Sequence, residues 1–215
     1  MNDDGEGHQP LELALELPLE RPLELNDRQQ KFDVPSPSLI VLIGISGSGK
    51  STFARKHFKQ SQIVSSDSCR LLVADDENDQ SATLDAFAVL HLIVRRRLVR
   101  GLLTVVDATN IKKRSREPLL RFAAETGVPA LAVVLDMPQE IIIARHLERS
   151  DRAFPVDVIE HQHRQMRDGM STLDHEGFER IIVLDSVEQT NNVSFNIIPT
   201  PTTLSTQHDP NPIAG

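Results

Sequence analysis

Gly44-Ile45-Ser46-Gly47-Ser48-Gly49-Lys50-Ser51 decides the reading of this 215-residue chain. The stretch fits G-x-x-x-x-G-K-[ST], the phosphate-binding loop pattern. Glycines let a backbone turn tightly enough for successive N–H groups to point at phosphate oxygens. In that reading Gly44, Ser46, Gly47, Ser48, Gly49 and Thr52 frame the phosphates. Lys50 reaches the β- and γ-phosphates as a point charge, and Ser51 offers its hydroxyl to Mg²⁺. The flanks separate the motif from a chance Gly/Ser turn. Ser38-Leu39-Ile40-Val41-Leu42-Ile43 before it reads as a buried parallel strand. Residues 52–60 after it read as a helix whose N-terminal dipole faces the anion. The implied ligand is ATP or another nucleoside triphosphate with Mg²⁺, and the motif alone leaves open what happens to the phosphate.

Outward from the loop the chain alternates strand and helix. Phe32 and Val34 suggest a short edge strand, and residues 62–65 a second short strand. A helix is expected from Ser81, as N-cap, to Arg100, closed by Gly101. Strands at 102–106, 130–135 and 181–184 alternate with helices at about 115–126, from Pro138 onward, and at 155–167. This rhythm predicts a three-layer α/β domain with a five-stranded, mainly parallel sheet. The domain is expected over 31–185. Residues 1–30 alternate leucine with acidic residues, broken by Pro18 and Pro22, and read as a disordered acidic arm or a docking segment. Residues 186–215, rich in Thr, Asn, Pro and Gln, read as a flexible tail or linker.

Composition narrows the class. The net charge of −8 lies wholly in the flanks, because residues 38–185 hold 20 basic and 20 acidic side chains. The acidic average therefore does not argue against a polyanionic partner. One cysteine, Cys69, permits no disulfide within the chain, and no apolar run is long enough for a membrane span. A cytoplasmic location and no membrane partner are expected.

Ligands of parallel sheets bind beyond the strands' carboxyl ends. Two carboxylates fall there, Asp67 after the second strand and Asp107 after the third. Asp67 can cap a helix or accept a proton from an attacking hydroxyl, with Arg70 binding a phosphate beside that hydroxyl. Asp107 can orient Mg²⁺ through water, jointly with Ser51. Arg145, Arg149 and Arg152 are spaced i, i+4, i+7 and share a face if the helix continues. That face is either a lid over the triphosphate or a solvated, ion-paired surface. Lys112-Lys113-Arg114 with Arg116 reads as a phosphate contact or a solvated turn. The run Asp75-Asp76-Glu77-Asn78-Asp79 lacks the pattern of a calcium loop, and His161 and His163 lack partners for zinc.

Taken together, Gly44–Ser51, Ser66-Asp67-Ser68-Cys69-Arg70, residues 75–80, Asp107-Ala108-Thr109-Asn110 and Asp151-Arg152 up to Pro155 resemble the kinase module of bacterial polynucleotide kinase-phosphatase. The resemblance covers roughly 31–185. It implies an adenylate-kinase-like P-loop kinase fold with a helical lid, acting on 5′-OH ends of RNA or DNA in end-healing repair. It implies Asp67 as general base, Arg70 and Gln80 on the acceptor side, and Lys50 and Ser51 on phosphate and Mg²⁺. Arg145, Arg149 and Arg152 fall in its lid, with Arg149 and Arg152 expected to act on the transferring phosphate. The family continues into phosphatase and ligase-like modules, whereas this sequence ends at Gly215, as a stand-alone kinase or a fragment. With no Trp or Tyr and eight Phe, base readout by stacked aromatics is not expected. The alternatives are a kinase of a small alcohol and an inactive nucleotide-binding module that recruits a partner through its arm.

Overall fold

The computed structural model describes residues 30–147 and 156–200. Its centre is β2 (Leu39–Ile43), whose five residues are all buried. Around it stand β3 (Ile63–Ser65), β4 (Thr104–Asp107), β5 (Ala130–Leu135) and β6 (Arg180–Leu184). They form one sheet in the order β3-β4-β2-β5-β6, with every pairing parallel. Strand side chains alternate faces, and here both faces are apolar. Leu39, Val41 and Ile43 join one core cluster, and Ile40 and Leu42 the other.

Helices cover the two faces. α1 (Lys50–His57) places Phe53 and Ala54 in the second cluster. α3 (Thr83–Val99) buries Ala86, Leu90, Val94 and Leu98, one residue per turn, in the first. α4 (Lys113–Thr126) adds Leu119 and Ala123 and ends at Gly127 in the left-handed conformation, as its position predicts. α2 (Ser66–Ala74), α5 (Gln139–Leu147) and α6 (Val156–Met170) stand at the carboxyl side of the sheet or follow from it. The expected three-layer α/β architecture with a five-stranded parallel sheet is what the molecule has.

Three local expectations are corrected. Ser81 does not cap α3; Asp79 accepts from its N–H at 2.9 Å, capping a 3₁₀ turn at 80–82 that precedes the helix. The strand at Phe32 and Val34, β1 (Lys31–Ser36), lies outside the main sheet. The segment from 186 to 199 is not a flexible tail. It forms α7 (Val187–Asn192) and β7 (Ser194–Pro199), and β7 pairs in parallel with β1 in a separate two-stranded sheet. The physical reason is Phe195. Its ring sits 6.1 Å from Phe32, 5.8 Å from Phe53, and 5.4 Å from both His57 and Phe58. Burial, with Lys56 adjacent, holds His57 down to about 4, so a neutral ring completes this aromatic cluster. Residues 1–29, 148–155 and 201–215, with most of the acidic arm, Arg149 and Arg152, lie outside the described residues.

Arg116 is also corrected. It is not on a solvated turn but fully buried, paired with Glu176 at 2.7 and 2.5 Å. Its remaining donors meet Asn110 O at 2.8 Å and Gly169 O at 2.9 Å. Burial alone would raise the Glu176 carboxyl, but hydrogen bonds from Arg116 and Thr172 hold it below the ordinary range. The pair ties α4, the β4–α4 corner and the end of α6 together. Removing one partner strands a buried charge. Glu176→Ala is expected to cost about 3–5 kcal/mol of stability, read from denaturant unfolding. A cost below about 1 kcal/mol would contradict the role assigned to the pair.

Candidate active site

Register builds the site. β2 ends at Ile43, and its backbone then enters Gly44–Ser51. Gly47 and Gly49 adopt φ of 84° and 97°, which side-chain-bearing residues rarely tolerate. Gly44 is needed for space, since a Cβ there would lie 2.6 Å from Ser48 Oγ and 3.0 Å from Leu135 O. The loop hands directly into α1, so helix N-terminal amides face the same space. Lys50 is buried, and its Nζ donates to Ile45 O at 2.8 Å and approaches Ser48 Oγ at 3.4 Å.

The second wall comes from β3 and β4. Ser65 pairs with Asp107 in parallel register, which sets Asp67, two residues further on, beside Asp107. The helix cap at α2 is Ser65, whose hydroxyl oxygen accepts from Ser68 N–H. Asp67 is thus released from the capping role open to it in the sequence. Its Oδ1 accepts from Arg70 at 2.9 Å, and the same Arg70 nitrogen donates to Glu77 O at 2.8 Å. The Ser51 hydroxyl stands beside the Asp107 carboxylate. Burial pushes the Asp107 carboxyl up; the Ser51 hydroxyl and Lys50 oppose this, and nearby Asp67 adds to it.

The β4–α4 corner is bolted to the loop. Gly44 N–H donates to Thr109 O at 3.0 Å, and the Asn110 amide donates to Leu42 O at 2.9 Å. Above the loop, Arg145 of α5 reaches Ser48 O at 3.4 Å. Two positions in this web carry no sequence signal of their own. Gln162 of α6 accepts from Ser46 N–H at 2.9 Å, although 116 residues separate them. Gly169 lets α6 press on the corner, for a Cβ there would lie 2.0 Å from Ile111 O.

These walls line one cleft, open to solvent on one side. Ser46, Gly47, Gly49, Lys50, Ser51, Thr52, Asp67, Asp107 and Arg145 line it, as the sequence reading expects. Arg55, Ser66, Thr109 and His146 also line it and were not expected. Arg70 stands behind Asp67, outside the lining. Gln80 lies outside too, exposed, its amide donating to Asn78 O at 3.1 Å. A second cleft shares Gly47, Gly49, Thr52 and Arg145 with the first and continues along Phe53, Lys56, Met137 and α7. Among the described residues no group of three or more His, Cys, Asp or Glu forms a metal cluster. The oxygen pair Ser51 and Asp107 suits a hard cation that keeps several waters, which is the habit of Mg²⁺. No helix among the described residues is long and apolar enough to cross a membrane.

A raised Asp107 carboxyl must lose its proton before it can serve a cation. Mg²⁺-dependent ATP binding is therefore expected to begin weakening, as pH falls, above the range in which an ordinary carboxylate takes up its proton. Asp107→Asn should flatten that dependence in calorimetric titrations, and an unchanged slope would exclude Asp107.

Comparison with known proteins agrees with the fold. A chain of the Pnkp1/Rnl/Hen1 RNA repair complex superposes with a TM-score of 0.57 at 26% identity. The match covers 66% of this chain and 47% of that one, so this chain spans about half the length of that relative. A chain of the PezAT chromosomal toxin-antitoxin system of the human pathogen Streptococcus pneumoniae matches with a TM-score of 0.54 at 19% identity. It covers 74% of this chain and 71% of that one, a likeness of fold alone. The sequence model of the family described as AAA domain matches residues 39–173, more than half of the sequence. With its P-loop on a parallel α/β sheet, the chain belongs to that family of P-loop domains.

Proposed function

We propose that this chain is a Mg²⁺-dependent 5′-OH polynucleotide kinase, which moves the γ-phosphate of ATP to the 5′-hydroxyl end of RNA or DNA. The observation that carries the reading is Asp67. Its carboxylate is one-third exposed, fixed by Arg70, and faces the same cleft as Lys50 and Asp107. A binding module needs no such carboxylate opposite its phosphate loop. A general base must be held within reach of the proton it takes.

The roles follow from position. Triphosphate occupies the Gly44–Ser51 loop, and the nucleoside extends into the second cleft along Phe53, Lys56 and α7. Lys50 exchanges Ile45 O for phosphate oxygens. Ser51 and Asp107 would hold Mg²⁺, which when bound neutralises charge gathering on the phosphates. Asp67 accepts the proton of the 5′-hydroxyl as its oxygen bonds to the γ-phosphorus; the bond to the β–γ bridging oxygen breaks and ADP departs. Arg145, joined by Arg149 and Arg152, stabilises the equatorial oxygens of the transferring group. Arg70 sets the Asp67 carboxylate, and Gln80 meets the acceptor strand as it leaves past α2. The kinase unit is taken as 31–185 with 186–199 packed on α1. The likeness to a chain of an RNA repair complex supports companion repair modules; that these include a phosphatase and a ligase, and that the chain works in the cytoplasm, are parts of the proposal.

The test supplies γ-labelled ATP and Mg²⁺ with a 5′-OH oligonucleotide, its 5′-phosphorylated form, and a panel of small alcohols. Label is expected only in the 5′-OH oligonucleotide. Transfer to a small alcohol alone, or ATP binding with no transfer, would overturn the reading. Asp67→Ala is expected to lose roughly 10²–10⁴-fold in kcat while retaining ATP binding, the usual weight of a general base. Full activity in that variant would remove Asp67 from the chemistry.

A further inference from the structure

One peptide unit of the phosphate loop joins two side chains that lie far apart in the sequence. It is the trans bond between Ile45 and Ser46. Its N–H, on Ser46, donates to Gln162 Oε1 at 2.9 Å. Its C=O, on Ile45, accepts from Lys50 Nζ at 2.8 Å and from Ser48 N–H at 3.2 Å. A trans peptide is planar, so its N–H and C=O point in opposite directions. Fixing one end therefore fixes the other. While Gln162 holds the Ser46 N–H, the Ile45 oxygen stays turned toward Lys50.

Gln162 is anchored well enough for that task. Ile159, three positions before it on α6, and Met166, four after, are buried in the first core cluster. Residues at those spacings share a helix face, so the Gln162 side chain rises from a surface packed on the core. α5 closes the loop beside it, for a Cβ on Gly47 would lie 3.2 Å from Ile142 Cγ2. Ser46 and Lys50 both line the first cleft, and Gln162 lines neither cleft. Gln162 thus touches the loop from behind and leaves the space for phosphate clear.

The glycines that let this loop bend also leave its peptides free to rotate. Rotation of the Ile45–Ser46 unit would take the N–H from Gln162 and the oxygen from Lys50 and Ser48 together. Lys50 is buried, and a buried ammonium deprived of a carbonyl is costly. A restraint from outside the loop keeps both ends in place.

We propose that Gln162 is a positioning residue for Lys50, which it holds through the Ile45–Ser46 peptide in the place from which the ammonium meets the β- and γ-phosphates. The inference rests on the triphosphate site of the kinase reading and not on the identity of the acceptor. It gives α6 a part in nucleotide binding that neither the loop motif nor the resemblance carries.

The test compares the wild type with Gln162→Met, which keeps the side chain's length without its acceptor oxygen, and Gln162→Glu, which keeps an oxygen at the same reach. NMR of the ligand-free protein reads two places. One is hydrogen exchange at the Ser46 amide. The other is the pair of Lys50 ε-methylene protons, which give separate signals when the ammonium is held and merge when it is averaged. Calorimetry reads the affinity for ATP with Mg²⁺. In Gln162→Met the Ser46 amide should lose protection and the Lys50 pair should merge. ATP affinity should fall about threefold to tenfold, the weight of one hydrogen bond. Gln162→Glu should keep the Ser46 protection and the separate Lys50 signals. A Lys50 pair that stays separate in Gln162→Met, or ATP affinity unchanged there, would overturn the assignment. So would a pair that merges equally in Gln162→Glu, because the packing of the side chain and not its oxygen would then be what matters. A wild type that binds no ATP would instead bring down the triphosphate site, and the ligand-free signals would still decide whether Gln162 governs Lys50.

Discussion

Everything at the site depends on five strands running the same way. Parallel register forces all their carboxyl ends to one edge of the sheet, and the chain then delivers one chemical group per crossover. β2 delivers the phosphate loop, β3 delivers Asp67, β4 delivers Asp107, and the segment after β5 delivers Arg145. A shift of one residue between β3 and β4 would separate Ser65 from Asp107 and turn each strand's apolar set over. Val64 and Val106 in one core cluster and Val105 in the other make that shift costly, because both clusters would lose contributors. Packing on both faces thus holds two carboxylates together, although Asp67 acts against the ionisation of Asp107.

A second layer of restraint acts on the loops. The phosphate loop is held from its start by Thr109 O, from its middle by Gln162, and from above by Arg145. The corner supplying Thr109 is held in turn by Arg116, Glu176 and the close approach of Gly169. α6 therefore touches both the loop and the corner, so a displacement at either is felt at the other. Such preorganisation matters for phosphoryl transfer, where positioning and electrostatics carry most of the catalysis.

Much of this was legible in the sequence, and the failures share a cause. β5 was readable to the residue because an apolar run of six residues between Gly127 and Pro138 is too short for a buried helix and fits a buried strand. The loop glycines announced themselves through their spacing. Asp67 and Asp107 were readable as rim residues, and only the rival helix cap at Asp67 needed the structure, which gives that job to Ser65. What escaped depends on partners distant in the chain. Phe195 sits among Thr and Asn residues that look like linker, and it becomes core only because Phe53, His57 and Phe58 receive it. Arg116 looks like the end of a basic surface run until Glu176, 60 residues on, neutralises it. Gln162 has no pattern at all, and Arg55 hides behind the ordinary habit of cations at helix ends.

The central claim is that the Gly44–Ser51 loop and the Asp67–Asp107 rim form one phosphoryl-transfer site. A crystal structure with Mg²⁺ and a non-hydrolysable ATP analogue tests it most directly. The account predicts the triphosphate on the loop, Lys50 Nζ moved from Ile45 O to phosphate oxygens, Ser51 and Asp107 turned to the metal, and Asp67 facing the terminal phosphate across open space. A nucleotide bound elsewhere, with Lys50 still on Ile45 O, or a terminal phosphate turned away from Asp67, would contradict it.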